Sequence, residues 1–309
     1  MSKPLVLVGP TASGKSAVAL RVAKMMDAEI INADSVQVYR HLDLGTAKPP
    51  MEERKQVPHH LIDMVEPSEE FSAARFRTMA LKAIDDIISR GKVPIITGGT
   101  GLYIRALCRG LFFGPSAKTE VREDLIAVEA QESGTLYRKL AEVDPEAATK
   151  IHPNDLRRVV RALEVFLSSG KKISDLQKEW EGEDTGNFIL VGLAWDRKEI
   201  YRRINERVDR MLASGFVDEV RSLLDRGVSP DLKPMKSLGY LQIVEHLQGK
   251  YDLERARELI KMETRRYAKR QMTWFRKEPG ILWIECRDEM AISEIADSVM
   301  HTWLDYGGR

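Results

Sequence analysis

Leu5-Val6-Leu7-Val8-Gly9-Pro10-Thr11-Ala12-Ser13-Gly14-Lys15-Ser16 is the stretch whose reading decides the fold. The apolar run at its start predicts a buried strand, and the segment 9–16 has the spacing G-x-x-x-x-G-K-[ST]. In such a loop successive backbone N–H groups form a nest for an anion, and the helix beginning near Lys15 directs its positive dipole end at the same place. A phosphate or diphosphate belongs there, cradled by Gly9, Pro10, Thr11, Ala12, Ser13, Gly14, Lys15 and Ser16. Lys15 supplies a point charge to the phosphoryl oxygens, and the Ser16 hydroxyl is the candidate ligand of a magnesium ion. The amphipathic run 17–26 is the helical context that separates this loop from a chance Gly/Ser turn.

Working outward, composition narrows the classes. A chain of 309 residues, 43% hydrophobic and 31% charged, predicts about two soluble globular domains. Nothing apolar approaches the roughly 18 residues that span a bilayer, and the N-terminus runs straight into the first strand, so a cytoplasmic protein without a membrane partner is expected, as a monomer. Cys108 and Cys286 are far apart and lack C-x-x-C spacing, which argues against a zinc site or a disulfide framework. The net charge of +1 conceals an uneven distribution along the chain.

Residues 29–33 read as a second strand that ends on Asp34-Ser35-Val36-Gln37. In an open α/β sheet ligands sit at the carboxyl ends of strands, so Asp34 faces the phosphate loop and is the candidate general base; capping the following turn is its alternative role. The paired His59 and His60 lack a third ligand at metal spacing, and a structural role is expected for them. Ser72 starts a helix to about residue 90, with Phe76, Ala80, Ala83, Ile84 and Ile87 on one face and Gly91 closing it. Residues 93–97 form the next buried strand, delivering Gly98-Gly99-Thr100-Gly101 to the same sheet edge. Thr100 either donates to a leaving oxygen or caps the next helix.

After Gly114-Pro115 the pattern becomes helical only, through residue 180. Asp144-Pro145 marks one helix start, Asn154 or Asp155 the next, and Gly170 its end. The central helix carries Val159, Val160, Leu163, Phe166 and Leu167 on an apolar face and Arg157, Arg158 and Arg161 on the other, without acidic partners beside them. Such arginines are either a solvated face or phosphate contacts. Strand character returns at 188–194, so residues 116–187 are read as an inserted helical domain within a core of 1–115 and 188–309.

In the helix expected at 199–214, Ile204, Val208, Met211 and Leu212 face inward and Arg202, Arg203, Arg207 and Arg210 outward. Residues 255–277 hold nine Lys/Arg, Lys269 and Arg270 among them, interleaved with Tyr267, Trp274 and Phe275. A basic helix with aromatics suits nucleic acid. A last strand at 281–285 and a closing helix at 290–304 complete an α/β fold. The expected architecture is a P-loop NTPase-like, mostly parallel sheet flanked by helices, with an inserted all-helical lobe.

Taken in order, GPTASGKS at 9–16, NADSVQVY at 32–39, GTAKP at 45–49, GGTGLY at 98–103, HPNDLRRVVR at 152–161, MLASGFVDEV at 211–220, KSLGY at 236–240 and AKRQMTWFR at 268–276 resemble the tRNA dimethylallyltransferases over almost the whole chain. The resemblance implies transfer of a dimethylallyl group from dimethylallyl diphosphate to the exocyclic N6 of the adenosine 3′-adjacent to the anticodon. It also implies magnesium as cofactor and a helical insertion that clasps the tRNA anticodon stem-loop. By the same resemblance Arg207 reaches the diphosphate, although its helical position alone makes it a solvated charge, and Asp34, Ser35, Val36 and Gln37 lie where the target base and its neighbours are read. The competing readings are a P-loop small-metabolite kinase using ATP, which needs neither the arginine-faced insertion nor the basic helix, and a free-nucleotide isopentenyltransferase, which lacks the RNA-gripping lobe. A non-enzymatic RNA-binding protein leaves an intact phosphate loop unexplained.

Overall fold

The computed structural model describes residues 2–110, 119–180 and 187–308. Among the described residues six strands form one sheet: β1 (Leu5–Val8), β2 (Ala28–Asn32), β3 (His59–His60), β4 (Val93–Gly98), β5 (Ile189–Trp195) and β6 (Ile281–Cys286). Their order is β3-β2-β4-β1-β5-β6 and every pairing is parallel. The helices are α1 (Lys15–Met26), α2 (Met51–Gln56), α3 (Ala73–Ser89), α4 (Gly101–Arg109), α5 (Thr119–Gln131), α6 (Thr135–Val143), α7 (Pro145–Lys150), α8 (Leu156–Ser169), α9 (Ile173–Trp180), α10 (Arg197–Ala213), α11 (Phe216–Asp225), α12 (Tyr240–Leu247), α13 (Leu253–Phe275) and α14 (Ile292–Asp305).

A parallel sheet is covered on both faces, which is why β1, β2 and β4 are buried along their whole length rather than on alternate residues. Successive side chains still point to opposite faces. Leu5, Leu7, Ile30 and Ile95 pack on one side with Val18 and Val22 of α1, Ile200 and Ile204 of α10, and Ile295 and Val299 of α14. Val6, Val8, Ile31 and Ile96 pack on the other with Phe76 and Ile84 of α3, Ile104 of α4, and Ile243 and Ile260 of α12 and α13. Ser72 caps α3 by accepting from Arg75 N–H, and of the expected face Phe76, Ala80, Ile84 and Ile87 are buried while Ala83 is half-buried. Glu29, an acidic side chain buried within β2, accepts from Arg90 at both oxygens and bonds His60 Nε2 at 2.8 Å. This gives the second histidine its structural role.

The chain divides into two compact units, Met1–Cys108 with Thr185–Arg309, and Arg109–Asp184. The boundary expected at Gly114-Pro115 lies outside the described residues. Every described element of the second unit is helical, around a core that includes Leu136, Leu140, Val160 and Leu163. Asp144 caps α7 through Ala147 N–H at 3.0 Å, and its other oxygen accepts from Ser174 N–H, tying α9 to the same residue. Asp155, not Asn154, caps α8, and Gly170 ends it. The apolar face of α8 is corrected at one end, because Leu167 is 60% exposed while Ala162 and Val165 are buried. Three to four residue spacing cannot tell a last-turn residue that overhangs its neighbour from one that is covered.

Candidate active site

In the order of the sheet, β1 lies between β4 and β5, with its sequence successor β2 beyond β4. The loop after β1 therefore sits where the connections diverge, the position at which open α/β sheets bind ligands. Gly14, at φ +82°, is the N-cap of α1, a left-handed conformation that a Cβ would disfavour. Among the described residues no side chain caps α1, and its first turn holds no acidic residue, so the positive end of the helix is left to an anion. Ala12 is also left-handed, at φ 64°, which is uncommon outside glycine and marks a tightly constrained loop. The loop is braced from β5 by Trp195 Nε1–H, which donates to Ser13 C=O at 3.0 Å, and the Arg203 guanidinium lies 3.6 Å above the same indole.

Lys15 turns back over this loop and donates to Pro10 C=O at 3.2 Å. Burial, followed by repulsion from Arg207, pulls its ammonium down to about 8, while Asp34 opposes the shift. A cation held this dry gains when an anion arrives, since the anion supplies what solvent no longer does. Asp34 lies beyond the end of β2, where its Oδ1 accepts from Val36 N–H at 2.8 Å and Gln37 N–H at 3.2 Å. The capping role is thus real, and it engages one carboxylate oxygen. Thr100 accepts from Ser35 N–H at 3.0 Å and lies 3.4 Å from the Ser35 hydroxyl, so it joins the β4 loop to the Asp34–Gln37 turn.

Arg207 is the main correction in this unit. It does not point outward from α10. It donates to Thr46 C=O at 3.3 Å, lines the same cavity as Lys15, Ser16, Asp34 and Gln37, and is lowered from its ordinary basicity chiefly by burial. Helical periodicity misplaces it because α10 packs against two cores, through Ile200 and Ile204 in one and Val208 in the other. Arg203 is likewise stacked and paired with Glu199 rather than freely solvated. The cavity shared by Lys15, Asp34 and Arg207 is small, ≈ 70 Å³. Two larger ones also contact Arg207: one of ≈ 930 Å³ reaching Ser16, Arg210 and Met211, and one of ≈ 340 Å³ lined by Asp34, Ser35, Val36, Tyr267 and Arg270. Arg207 therefore lines all three cavities.

The loop that fixes Arg207 is itself held from both sides. Glu219 accepts from Asp43 N–H at 3.2 Å, Leu44 N–H at 2.6 Å and the Tyr240 hydroxyl at 2.6 Å. The buried Lys48 donates to Tyr39 C=O, Asp43 and Asp63 at 2.9, 2.5 and 2.6 Å, satisfying all three of its protons. Gln37 donates to Thr46 C=O at 3.0 Å. None of these roles is visible in the spacing. Gln271 on α13 is not singled out by its spacing, and Tyr267, read as an aromatic of the basic helix, lines the cavity beside it. The available signal was polar residues inside an apolar stripe, since Thr264 and Gln271 are buried in line with Ala256, Ile260, Ala268 and Phe275.

The basic helix also differs from expectation. Phe275 is fully buried and Trp274 packs under Arg105 at 4.4 Å, so these aromatics belong to the protein interior. Lys261 pairs with Asp209 at 2.8 Å, Arg265 donates to Asn205 at 2.7 Å, and Arg257 and Arg266 pair with Glu254 and Glu263. Lys269 and Arg270 remain exposed. In the second unit the expectation of arginines without acidic partners is corrected: Arg158 pairs with Asp155 at 3.3 Å, and Arg161 with the buried Glu164 at 2.9 Å, which Arg122 also reaches. Arg157 is exposed and has no ion pair among the described residues. Asp155 also caps α8, and Glu164 is buried among the apolar residues of the helix, where a search for exposed acidic neighbours does not find it.

A parallel α/β sheet with an uncapped phosphate loop at its divergence point defines a phosphate-binding protein of the P-loop type. Residues 37–278 match the family model described as IPP transferase. Similar proteins include the tRNA dimethylallyltransferases of Thermotoga neapolitana, 49% identical over 91% of this chain and 92% of that one, and of Geobacter sulfurreducens, 49% identical over 92% of each. Among solved structures, the full-length tRNA isopentenylpyrophosphate transferase of Bacillus halodurans is 38% identical with a TM-score of 0.71, covering 99% of this chain and 98% of that one. A eukaryotic dimethylallyltransferase described as acting on tRNA is 33% identical with a TM-score of 0.81, covering 93% of this chain and 75% of that one. The chain belongs to the IPP transferase family.

Proposed function

We propose that this protein transfers a dimethylallyl group from dimethylallyl diphosphate to N6 of the adenosine 3′-adjacent to the anticodon of a tRNA. The observation that carries the reading is the meeting of Lys15, Asp34 and Arg207 in one buried cavity flanked by two larger ones. The N6 lone pair is delocalised into the ring, so the reaction depends on stabilising the departing diphosphate and on accepting the amine proton. The new bond joins N6 to the allylic carbon as the carbon–oxygen bond to diphosphate breaks, and the proton released from N6 passes to Asp34. Oδ1 of Asp34 holds the Val36 and Gln37 amides, which leaves Oδ2 for that proton. Lys15, Arg207 and the N-terminal amides of α1 take up the charge of the leaving diphosphate.

Magnesium fits this site in one way. Among the described residues no group of three or more His, Cys, Asp or Glu side chains could hold a metal, so a protein cage of that kind is not available. Ser16 lines the cavity, and a hard oxygen-seeking ion sharing that hydroxyl with diphosphate oxygens is consistent with such a donor set. When bound, the ion would neutralise part of the diphosphate charge. We assign the tRNA grip to Arg157 and Arg158 on the helical unit and to Lys269 and Arg270 on α13, with Arg161 held back by its pairing to Glu164.

The decisive experiment incubates the protein with unmodified tRNA and either labelled dimethylallyl diphosphate or labelled ATP. Label from the prenyl donor appearing in tRNA is expected; prenyl label absent from tRNA, with label from ATP transferred instead, would overturn this reading. No helix among the described residues is long and apolar enough to cross a membrane. We propose the cytoplasm as the place of the reaction, since its proposed acceptor is a tRNA.

A further inference from the structure

One side chain grips the phosphate loop from far along the sequence. Gln271 on α13 is 6% exposed, and its carboxamide spans two glycine-rich loops. Its Oε1 accepts from Thr11 N–H at 2.8 Å and its Nε2 donates to Gly99 C=O at 2.9 Å. The amide can sit only one way round, because a flip would set NH₂ against N–H and carbonyl against carbonyl. The fit is close: a Cβ on Gly99 would run into Gln271 Nε2.

The consequence lies in which amides remain for an anion. Ser13 N–H is spent on Pro10 C=O at 3.2 Å within the loop, and Thr11 N–H is spent on Gln271, whereas the first turn of α1 is left without a side-chain cap. In a G-x-x-x-x-G-K-[ST] loop the backbone amides cradle two phosphates and the lysine reaches the third; here Lys15 Nζ lies 3.2 Å from Pro10 C=O, which directs that third phosphate toward the start of the loop. There it would meet the Gln271 carbonyl oxygen, an acceptor, where a nest normally offers a donor. We propose that Gln271 is a specificity-determining residue that shortens the anion cradle to the length of a diphosphate and so excludes nucleoside triphosphates. This deepens the proposed function and rests on its diphosphate reading. Gln271 acts without charge, so the field of Lys15 and Arg207 stays available to the substrate.

The test measures binding of inorganic diphosphate and of tripolyphosphate, each with magnesium, by calorimetry on the wild-type chain and on Gln271→Ala and Gln271→Glu. Wild type favours diphosphate. Gln271→Ala frees Thr11 N–H, and the ratio of tripolyphosphate to diphosphate affinity rises by about tenfold, as one charge-assisted hydrogen bond gained implies. Gln271→Glu keeps an acceptor on Thr11 N–H, and the ratio does not rise. Should the alanine chain fail to fold, Gln271→Ser, also too short to reach Thr11, carries the same expectation. An unchanged ratio in the shortened variant, or an equal rise in the glutamate variant, overturns the inference. Wild type binding neither anion would instead bring down the diphosphate reading, and this inference with it.

Discussion

Asp34 has two oxygens and two proposed duties, and the structure allows them to be separated by a single atom. In Asp34→Asn the amide oxygen still accepts from Val36 and Gln37 N–H, at positions now 2.8 and 3.2 Å from Oδ1, so the turn persists. What is lost is the proton acceptor, and a general base is worth about 10²–10⁴ in rate. Asp34→Ala loses the same base and also both hydrogen bonds, costing roughly 1–2 kcal/mol, or about 2–4 °C in Tm for each kcal/mol in a domain of this size. The assay is single-turnover transfer of labelled prenyl group to saturating tRNA at pH 7, where Lys15, held at about 8, is still largely protonated. Thermal melts accompany it. The Asn chain should melt with wild type and react at least about 100-fold more slowly, and the Ala chain should be slow and less stable. An Asn chain that retains a rate within about threefold of wild type would refute the base assignment and leave Asp34 as a cap alone.

Lys15→Ala removes a dry cation from the diphosphate site, so turnover should fall by about 10²-fold or more while tRNA affinity by filter binding is unchanged. Arg157→Ala with Arg158→Ala should weaken tRNA binding and flatten its dependence on salt without altering diphosphate affinity; equal slopes in titrations at several ionic strengths would return these residues to a solvated face. Arg161→Ala behaves differently, because it removes a partner of Glu164, which is 0% exposed, and should lower stability in urea by about 1–3 kcal/mol. Hydrogen bonds from Arg90, aided by His60, hold the buried Glu29 carboxyl at about 2 against an ordinary 4.5. Its folded value is depressed, so its contribution is complete above about pH 4.5 and disappears as pH falls toward 2. Urea midpoints should drop across that window by the equivalent of up to about 3 kcal/mol, and Glu29→Gln should flatten that part of the profile.

Local chemistry carried much of this protein into view. The strand-loop-helix at 5–26, the caps at Ser72, Asp144 and Asp155, and the switch to helix alone in the inserted segment all depend on neighbours within a few residues, which the chain states directly. Parallel strands announce themselves the same way, as unbroken apolar runs, because both faces are covered. Only the tertiary structure decided which charges face inward. Arg207 and Arg210 are equally plausible surface residues by period, yet packing of α10 against two cores turns Arg207 into the cavity. Gln271 meets Thr11 from 260 positions away, and Glu219 meets Leu44 from 175, distances over which no periodicity carries information. Whether a polar side chain is a surface charge, a clamp or a ligand depends on which partner the fold brings to it, and the energy that settles the matter, the cost of burying an unpaired polar group, exists only once the burial has occurred.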